Sequence, residues 1–276
     1  MNRPLAFYIG LMKLRLPFIK NPPLVAVVRL TGAIGMPGRG SLNHQSISPV
    51  LEKAFRRGKP AAVALELNSP GGSPVQSALI GSQVRRLSDE LNVPVYAFVE
   101  DVAASGGYWL AAAADEIWAD DNSIIGSIGV ISAGFGAPVF LARQGIERRV
   151  YTAGESKSTL DPFQPEKKED VARLKLLLGD IHDNFIAWVQ LRRGDKLDKK
   201  AGIFTGEFWL ARRAIELGLI DGIGHMKPTM TDRFGDKVQF KRYGLRRPFL
   251  SRFGAEIAQD AMASVEERAA FAQFGL

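Results

Sequence analysis

VYAFVEDVAASGGYWLAAAADEIWA, residues 95–119, decides the fold. Val95 to Val99 is an apolar run bounded by Pro94 and Glu100, short enough for a buried strand. Tyr108, Trp109 and the alanines 111–114 read as a buried helix, and EIWA (116–119) as another strand. Between strand and helix stands a corner of small residues, with Ser105 beside Gly106. A serine there has two readings. It is a favoured N-cap, because its oxygen can accept from the free N–H groups of the first turn. It is also where a nucleophile would sit, since a helix N-terminus helps stabilise developing negative charge and small neighbours admit a carbonyl. The corner alone leaves both open.

Working outward, strands and helices alternate. LVAVVRL follows the prolines at 22–23, and a glycine-rich loop, TGAIGMPGRGS, follows it. A helix is predicted over about 46–57, a strand over 61–68, a helix over about 75–91 and a strand over 94–99. Beyond the corner, IGVIS (128–132) reads as a short strand, 138–144 as a helix and ERRVYTAG (147–154) as extended. A long amphipathic helix spans about 165–193, using Val171, Leu174, Leu177, Ile181, Phe185 and Trp188. GEFWLARRAIELGLIDGIG (206–224) gives a shorter helix and a terminal strand, and 255–275 an alanine-rich helix that would dock through Ile257, Met262, Val265 and Phe271. The pattern is that of an α/β protein with largely parallel strands.

The chain has 276 residues, 46% of them hydrophobic, which is sufficient for a sizeable core. Its net charge of +7 gathers at the ends: residues 1–20 and 237–252 carry basic side chains and no acid. Such ends suit an anionic membrane surface or nucleic acid, or are simply solvated tails. No nucleic-acid-binding motif is present, and the aromatics among the last basic residues suit a lipid interface as well. PLAFYIGLM (4–12) is too short to span a bilayer, which needs about 20 residues. Lys13 and Arg15 then interrupt it, so residues 1–19 are expected to lie in an interface. With no cysteine, thiol nucleophiles, thiolate metal sites and disulfides are all excluded. The three histidines leave little for a histidine site, and the residues call for no metal or other cofactor.

Three further segments bear on Ser105. NSPGGSP (68–74) ends a strand in a turn whose glycines can take positive φ and expose their N–H groups. It is an ordinary turn, or an oxyanion hole in which Gly71 or Gly72 joins Gly106. GESKS (154–158) holds Lys157. A lysine is ordinarily a surface charge, but one desolvated among apolar walls can serve a hydroxyl as base. IIGSIGV (124–130) holds Ser127 between isoleucines and glycines, an expected buried hydroxyl in want of a partner.

In this order the pieces resemble the S49 peptidase family, the signal peptide peptidase A and SohB group, over about residues 24–224. LNSPGG, DVAASGGYW, IIGSIGV, GESKS and FTGEFWLARRAIELGLIDGIG carry the resemblance, with Ser127 and Lys157 standing 22 and 52 residues after Ser105. It implies a ClpP/crotonase-like fold, a spiral of ββα units, in a short single-repeat form. It implies Ser105 as nucleophile, Lys157 as general base, Ser127 as the group orienting the lysine, and Gly71, Gly72 and Gly106 as the oxyanion hole. The substrates implied are extended peptides such as residual signal peptides or membrane-protein fragments. Also implied are a homo-oligomeric ring or dome, with the lysine supplied in cis or in trans, and a site at the bacterial inner membrane or in the cytoplasm. The expected division is a segment 1–23, a peptidase domain 24–235, and a basic segment with a C-terminal helix, 236–276. The chain departs from the family at Glu207, where a basic residue often follows FTG, and in lacking a full N-terminal membrane helix.

Rival readings are a Ser–His–Asp hydrolase, a crotonase-type acyl-CoA enzyme using Glu100 or Asp101, and an inactive membrane-surface scaffold. GxSxG is absent, and His44, His182 and His225 sit in no motif; His182 in particular reads as a surface residue of the long helix.

Overall fold

A computed structural model describes residues 22–35, 42–154, 156–198, 201–244 and 268–276. Four parallel strands form its centre: β1 (Leu24–Thr31), β2 (Ala62–Ser69), β3 (Val95–Ala104) and β4 (Glu116–Ala119). Helices α1 (His44–Arg56), α2 (Pro74–Leu91) and α3 (Gly106–Ala111) connect them. β2 is buried along nearly its whole length, as strands covered on both faces are. Local signals start and stop the helices. Asn43 and Ser46 form a capping box on α1, with the Asn43 side chain accepting from Ser46 N–H at 2.9 Å. Pro74 opens α2, and Asn92, with φ +50°, ends it in the left-handed region.

The sheet forks at β3. β3 pairs with β2 on one side; on the other, Tyr96–Val99 pair with β4 and Val102–Ala104 pair with β5 (Ile124–Gly126). β5 carries the antiparallel strand β6 (Phe208–Leu210), and β4 carries β7 (Gly222–Ile223). At the far edge β8 (Gln239–Tyr243) runs parallel to β1, so the sheet continues past residue 235. The remaining helices are α4 (Pro138–Arg143), α5 (Lys168–Arg193), α6 (Ala211–Glu216) and α7 (Met226–Phe234).

Alternation along the strands divides the core. In β1, Ala26, Val28 and Leu30 face the main cluster with Leu51, Phe55, Ile80, Leu87 and Tyr108, whereas Val25 and Val27 face a smaller cluster with Phe98, Met226 and Met230. The fully buried Tyr108 hydroxyl donates to Leu219 O at 2.7 Å, which ties α3 to the segment after α6; burial raises this phenol's pKa, so it stays a donor. Nearby, Arg193 donates to Gly218 O at 2.9 Å and to Asp221 at 2.7 Å. Burial opposes ionisation of Asp221, but its hydrogen bonds from Arg193 and Lys196 outweigh this and hold its pKa below the usual carboxylate range.

Several expectations are corrected. The serine-bearing strand runs on to Ala104, five residues past the predicted end, because β5 pairs with its extension. That partner is residues 124–126; 128–132 form no strand, and neither do 147–154, so Lys157 follows no strand. β6, α7 and β8 were not expected. The long helix buries only Phe185, Val189 and Arg193, leaving Leu176 and Leu177 71% and 55% exposed. Residues 1–21 and Ile257, Met262 and Val265 lie outside the described residues, while Phe271 is half-buried. Among the described residues no helix is long and apolar enough to cross a membrane.

Candidate active site

Ser105 closes β3 and opens α3, but it is not a cap. Its side chain makes no capping hydrogen bond, and its backbone (φ +50°, ψ −123°) is far from the extended conformation of an ordinary N-cap. A residue with a Cβ held there costs about 1–3 kcal/mol, a cost tolerated where surrounding structure over-determines it. Two main-chain bonds do so: Ser105 N–H donates to Gly126 O at 2.8 Å, and Trp109 N–H to Ser105 O at 3.0 Å. The result is a half-buried hydroxyl not committed to the helix beneath it.

The NSPGG turn packs against this corner. A register shift between Leu67 and Ser69 releases the turn from the β2–β3 ladder. Ile34 then clamps it from both sides: Ile34 N–H donates to Gly71 O at 2.7 Å, and Ser73 N–H donates to Ile34 O at 2.8 Å. Gly71 (φ +105°) and Gly72 (φ +142°) both need their freedom. A Cβ on Gly71 would come within 2.8 Å of Ser105 Cβ and 2.9 Å of Gly106 N; one on Gly106 would meet Ser77 Oγ and lie 3.3 Å from Gly72 N. The Gly72 and Gly106 amides are therefore close neighbours, and neither N–H donates to an acceptor among the described residues. Gly71 differs, because its N–H donates to Ser69 Oγ at 3.3 Å. Of the two glycines left open by the sequence, Gly72 is the one with a free donor.

Gly72→Ala would drive a methyl into the Ile34 carbonyl and to 2.7 Å from Ile34 N at a φ that only glycine tolerates. The expected loss is about 2 kcal/mol or more of stability, together with any activity of the corner. Urea denaturation and peptide hydrolysis check it, and an unchanged midpoint would show that the loop adapts.

Ser127 directly follows the Gly126 carbonyl that holds Ser105. It too has positive φ (+52°), and its N–H donates to Glu207 O at 2.6 Å, so Glu207 serves through its backbone. Ser127 is half-buried rather than buried, because its loop leaves the sheet edge there. Lys157 stands apart. It lies exposed in a turn and makes no side-chain hydrogen bond or ion pair among the described residues. Within one chain, then, Ser105, Ser127, Gly71, Gly72 and Gly106 come together and Lys157 remains exposed. The segment before it leaves large apolar side chains uncovered: Ile131, Phe135 and Tyr151 are 84%, 96% and 90% exposed.

Glu100 and Asp101 are both engaged. Arg29 donates to Glu100 at 2.8 Å, and Asn68 Nδ2 donates to Asp101 at 2.5 Å. His182, expected at the surface, is half-buried, and its Nε2 donates to Ile128 O at 3.0 Å. Its place seven residues before the buried Val189 on α5 was the available signal. Among the described residues no cluster of histidine and carboxylate side chains could hold a metal ion.

Over 97% of its length the chain is 46% identical to 39% of a Brucella abortus protein named Na(+)/H(+) antiporter NhaA. It is 29% identical to a putative signal peptide peptidase SppA of Enterococcus faecium, over 74% of this chain and 59% of that one. It is 31% identical to a probable protease SohB of Haemophilus influenzae, over 79% and 61%. The chain thus spans between 39% and 61% of these relatives, and the antiport named for the first stays with that whole protein. The family model described as Peptidase family S49 matches residues 88–235, a stretch that begins after the NSPGG turn and takes in Ser105, Ser127 and Lys157. The forked parallel sheet with its covering helices is the ClpP/crotonase-like α/β fold of that family. With more than half of its length matched and its serine corner free of any capping role, the chain belongs to peptidase family S49.

Proposed function

We propose that this chain is a serine endopeptidase that cleaves extended peptides, such as residual signal peptides and membrane-protein fragments, with a Ser105–Lys157 dyad. The observation that carries the reading is the uncapped Ser105 hydroxyl, held at positive φ beside the free Gly72 and Gly106 N–H groups. In acylation, Ser105 Oγ attacks the peptide carbonyl carbon while its proton passes to the neutral Lys157 amine. The carbonyl electron pair moves onto oxygen, where the Gly72 and Gly106 amides receive it. As the tetrahedral intermediate collapses, the C–N bond breaks and the lysine ammonium returns its proton to the leaving amine. Water then attacks the acyl-serine with Lys157 again as base, and cleavage of the ester C–O bond restores the Ser105 hydroxyl.

Ser127 orients the amine. Lys157 reaches it from a second copy of the chain, and docking of the exposed apolar side chains of 131–151 supplies the dry surroundings that a neutral amine needs. A homo-oligomeric ring or dome satisfies both needs. A crotonase-type acyl-CoA reaction would require a free carboxylate beside the corner, whereas Glu100 and Asp101 are tied to Arg29 and Asn68.

Complementation tests the assembly and the dyad together. Ser105→Ala and Lys157→Ala should each be inactive on a fluorogenic peptide, and activity should return when the two are mixed and reassembled, each supplying what the other lacks. Two inactive variants that stay inactive in a proven mixed oligomer would contradict supply in trans.

A further inference from the structure

One face of α5 touches both halves of the site. Phe185 stacks on Trp109 with ring centroids 4.8 Å apart, and Trp188 stacks on the same ring at 6.2 Å. Trp188 Nε1 donates to Trp109 O at 3.0 Å. Trp109 lies in the helix that Ser105 opens. One turn earlier on that face stands His182, whose Nε2 bonds Ile128 O at 3.0 Å. A carbonyl oxygen only accepts, so Nε2 carries the hydrogen. Ile128 is fully buried, and no other described group donates to its carbonyl. Ser127 is therefore set between two fixed points: its own N–H on Glu207 O, and the next residue's carbonyl on His182. Since Gly126 O holds Ser105 N–H, α5 fixes the relation of Ser127 to Ser105 from both sides.

We infer that His182 is a positioning residue for the peptidase reaction, acting through the Ile128 carbonyl to aim the Ser127 hydroxyl at the lysine amine. This rests on the Ser–Lys reading. Loss of the Nε2–H leaves the 128–129 peptide held only by its Gly129 N–H, which donates to Ser127 O at 2.9 Å, so the turn after Ser127 shifts and its hydroxyl no longer lies where the amine arrives. The chemical step slows while peptide binding is untouched, because His182 meets no substrate. Glutamine can restore the donor, since its amide nitrogen reaches about as far as Nε2. Asparagine falls short.

The test uses the full chain with a fluorogenic peptide and a fluorophosphonate that labels reactive serines. His182→Leu should lower kcat about tenfold, with KM within about twofold of wild type, and slow Ser105 labelling in parallel. His182→Gln should recover most of the rate and His182→Asn should not, a comparison that stands even where the leucine variant fails to accumulate. On a Ser127→Ala background the His182→Leu penalty should vanish, because the group it aims is gone. Equal labelling of wild type and His182→Leu, or a penalty that multiplies in full on Ser127→Ala, overturns the inference and leaves the dyad standing. Absence of Ser105 labelling in wild type overturns the dyad itself, and the inference with it.

Discussion

Ser105→Ala is expected to lose peptide hydrolysis by a factor on the order of 10⁴ or more while its melting temperature stays within about a degree of wild type. The two halves of this result have separate causes. Activity goes because the attacking oxygen is gone, and neither the Gly72 and Gly106 amides nor Lys157 can replace it. Stability stays because the hydroxyl caps nothing, so the cost of about 1 kcal/mol that follows loss of a true cap does not arise. Ser105→Gly sharpens the contrast. Glycine relieves the strain of a Cβ at φ +50°, so this variant should be as inactive as alanine yet equally or more stable. A capping serine predicts the opposite pair, retained hydrolysis with reduced stability. Calorimetry and steady-state hydrolysis on the same samples decide.

The second large effect concerns the base. A lysine serves as a general base only through its neutral amine. Arginine keeps the charge and much of the bulk but gives up no proton in this range. Lys157→Arg should therefore be as inactive as Lys157→Ala, with hydrolysis at background from pH 6 to 10. Ser127→Ala should be slower by about ten- to a hundredfold and still measurable, since it positions the amine without exchanging its proton. Near-normal turnover by Lys157→Arg would remove the dyad and direct attention to His182, the one histidine bonded to the Ser127 loop.

What the sequence made legible here is local. The apolar run from Val95, the small-residue corner and the buried alanines each carry their own signal, so strand, turn and helix were readable in order. Pro70, Gly71 and Gly72 announced a tight turn in the same way. What escaped depends on partners distant in the chain. β5 is three residues long and exists because β3 and β6 flank it, so the equally apolar run at 128–132 looked as good a strand and is none. β8 carries Lys241 and Arg242 and reads as a basic tail, yet pairing with β1 makes it an edge strand. Residues 147–154 read as extended and form no strand, and Tyr151 among them stays 90% exposed within one chain. The role of Lys157 comes from the family resemblance alone, and the residue lies exposed in the single chain; under the proposed assembly its surroundings belong to an interface, whose geometry no single-chain pattern encodes. His182 reads as a surface residue because its neighbours Asp180 and Asp183 make the helix look solvated, whereas its own face turns inward toward Val189.

Ser105 is proposed as a nucleophile made reactive by Lys157. Intact-protein and peptide mass spectrometry after fluorophosphonate treatment tests it most directly. One covalent adduct per chain is expected, mapped to Ser105 and lost in Lys157→Ala although that variant is folded and assembled. No adduct on the assembled wild type, or an adduct on another serine with Ser105 unmodified, would contradict it.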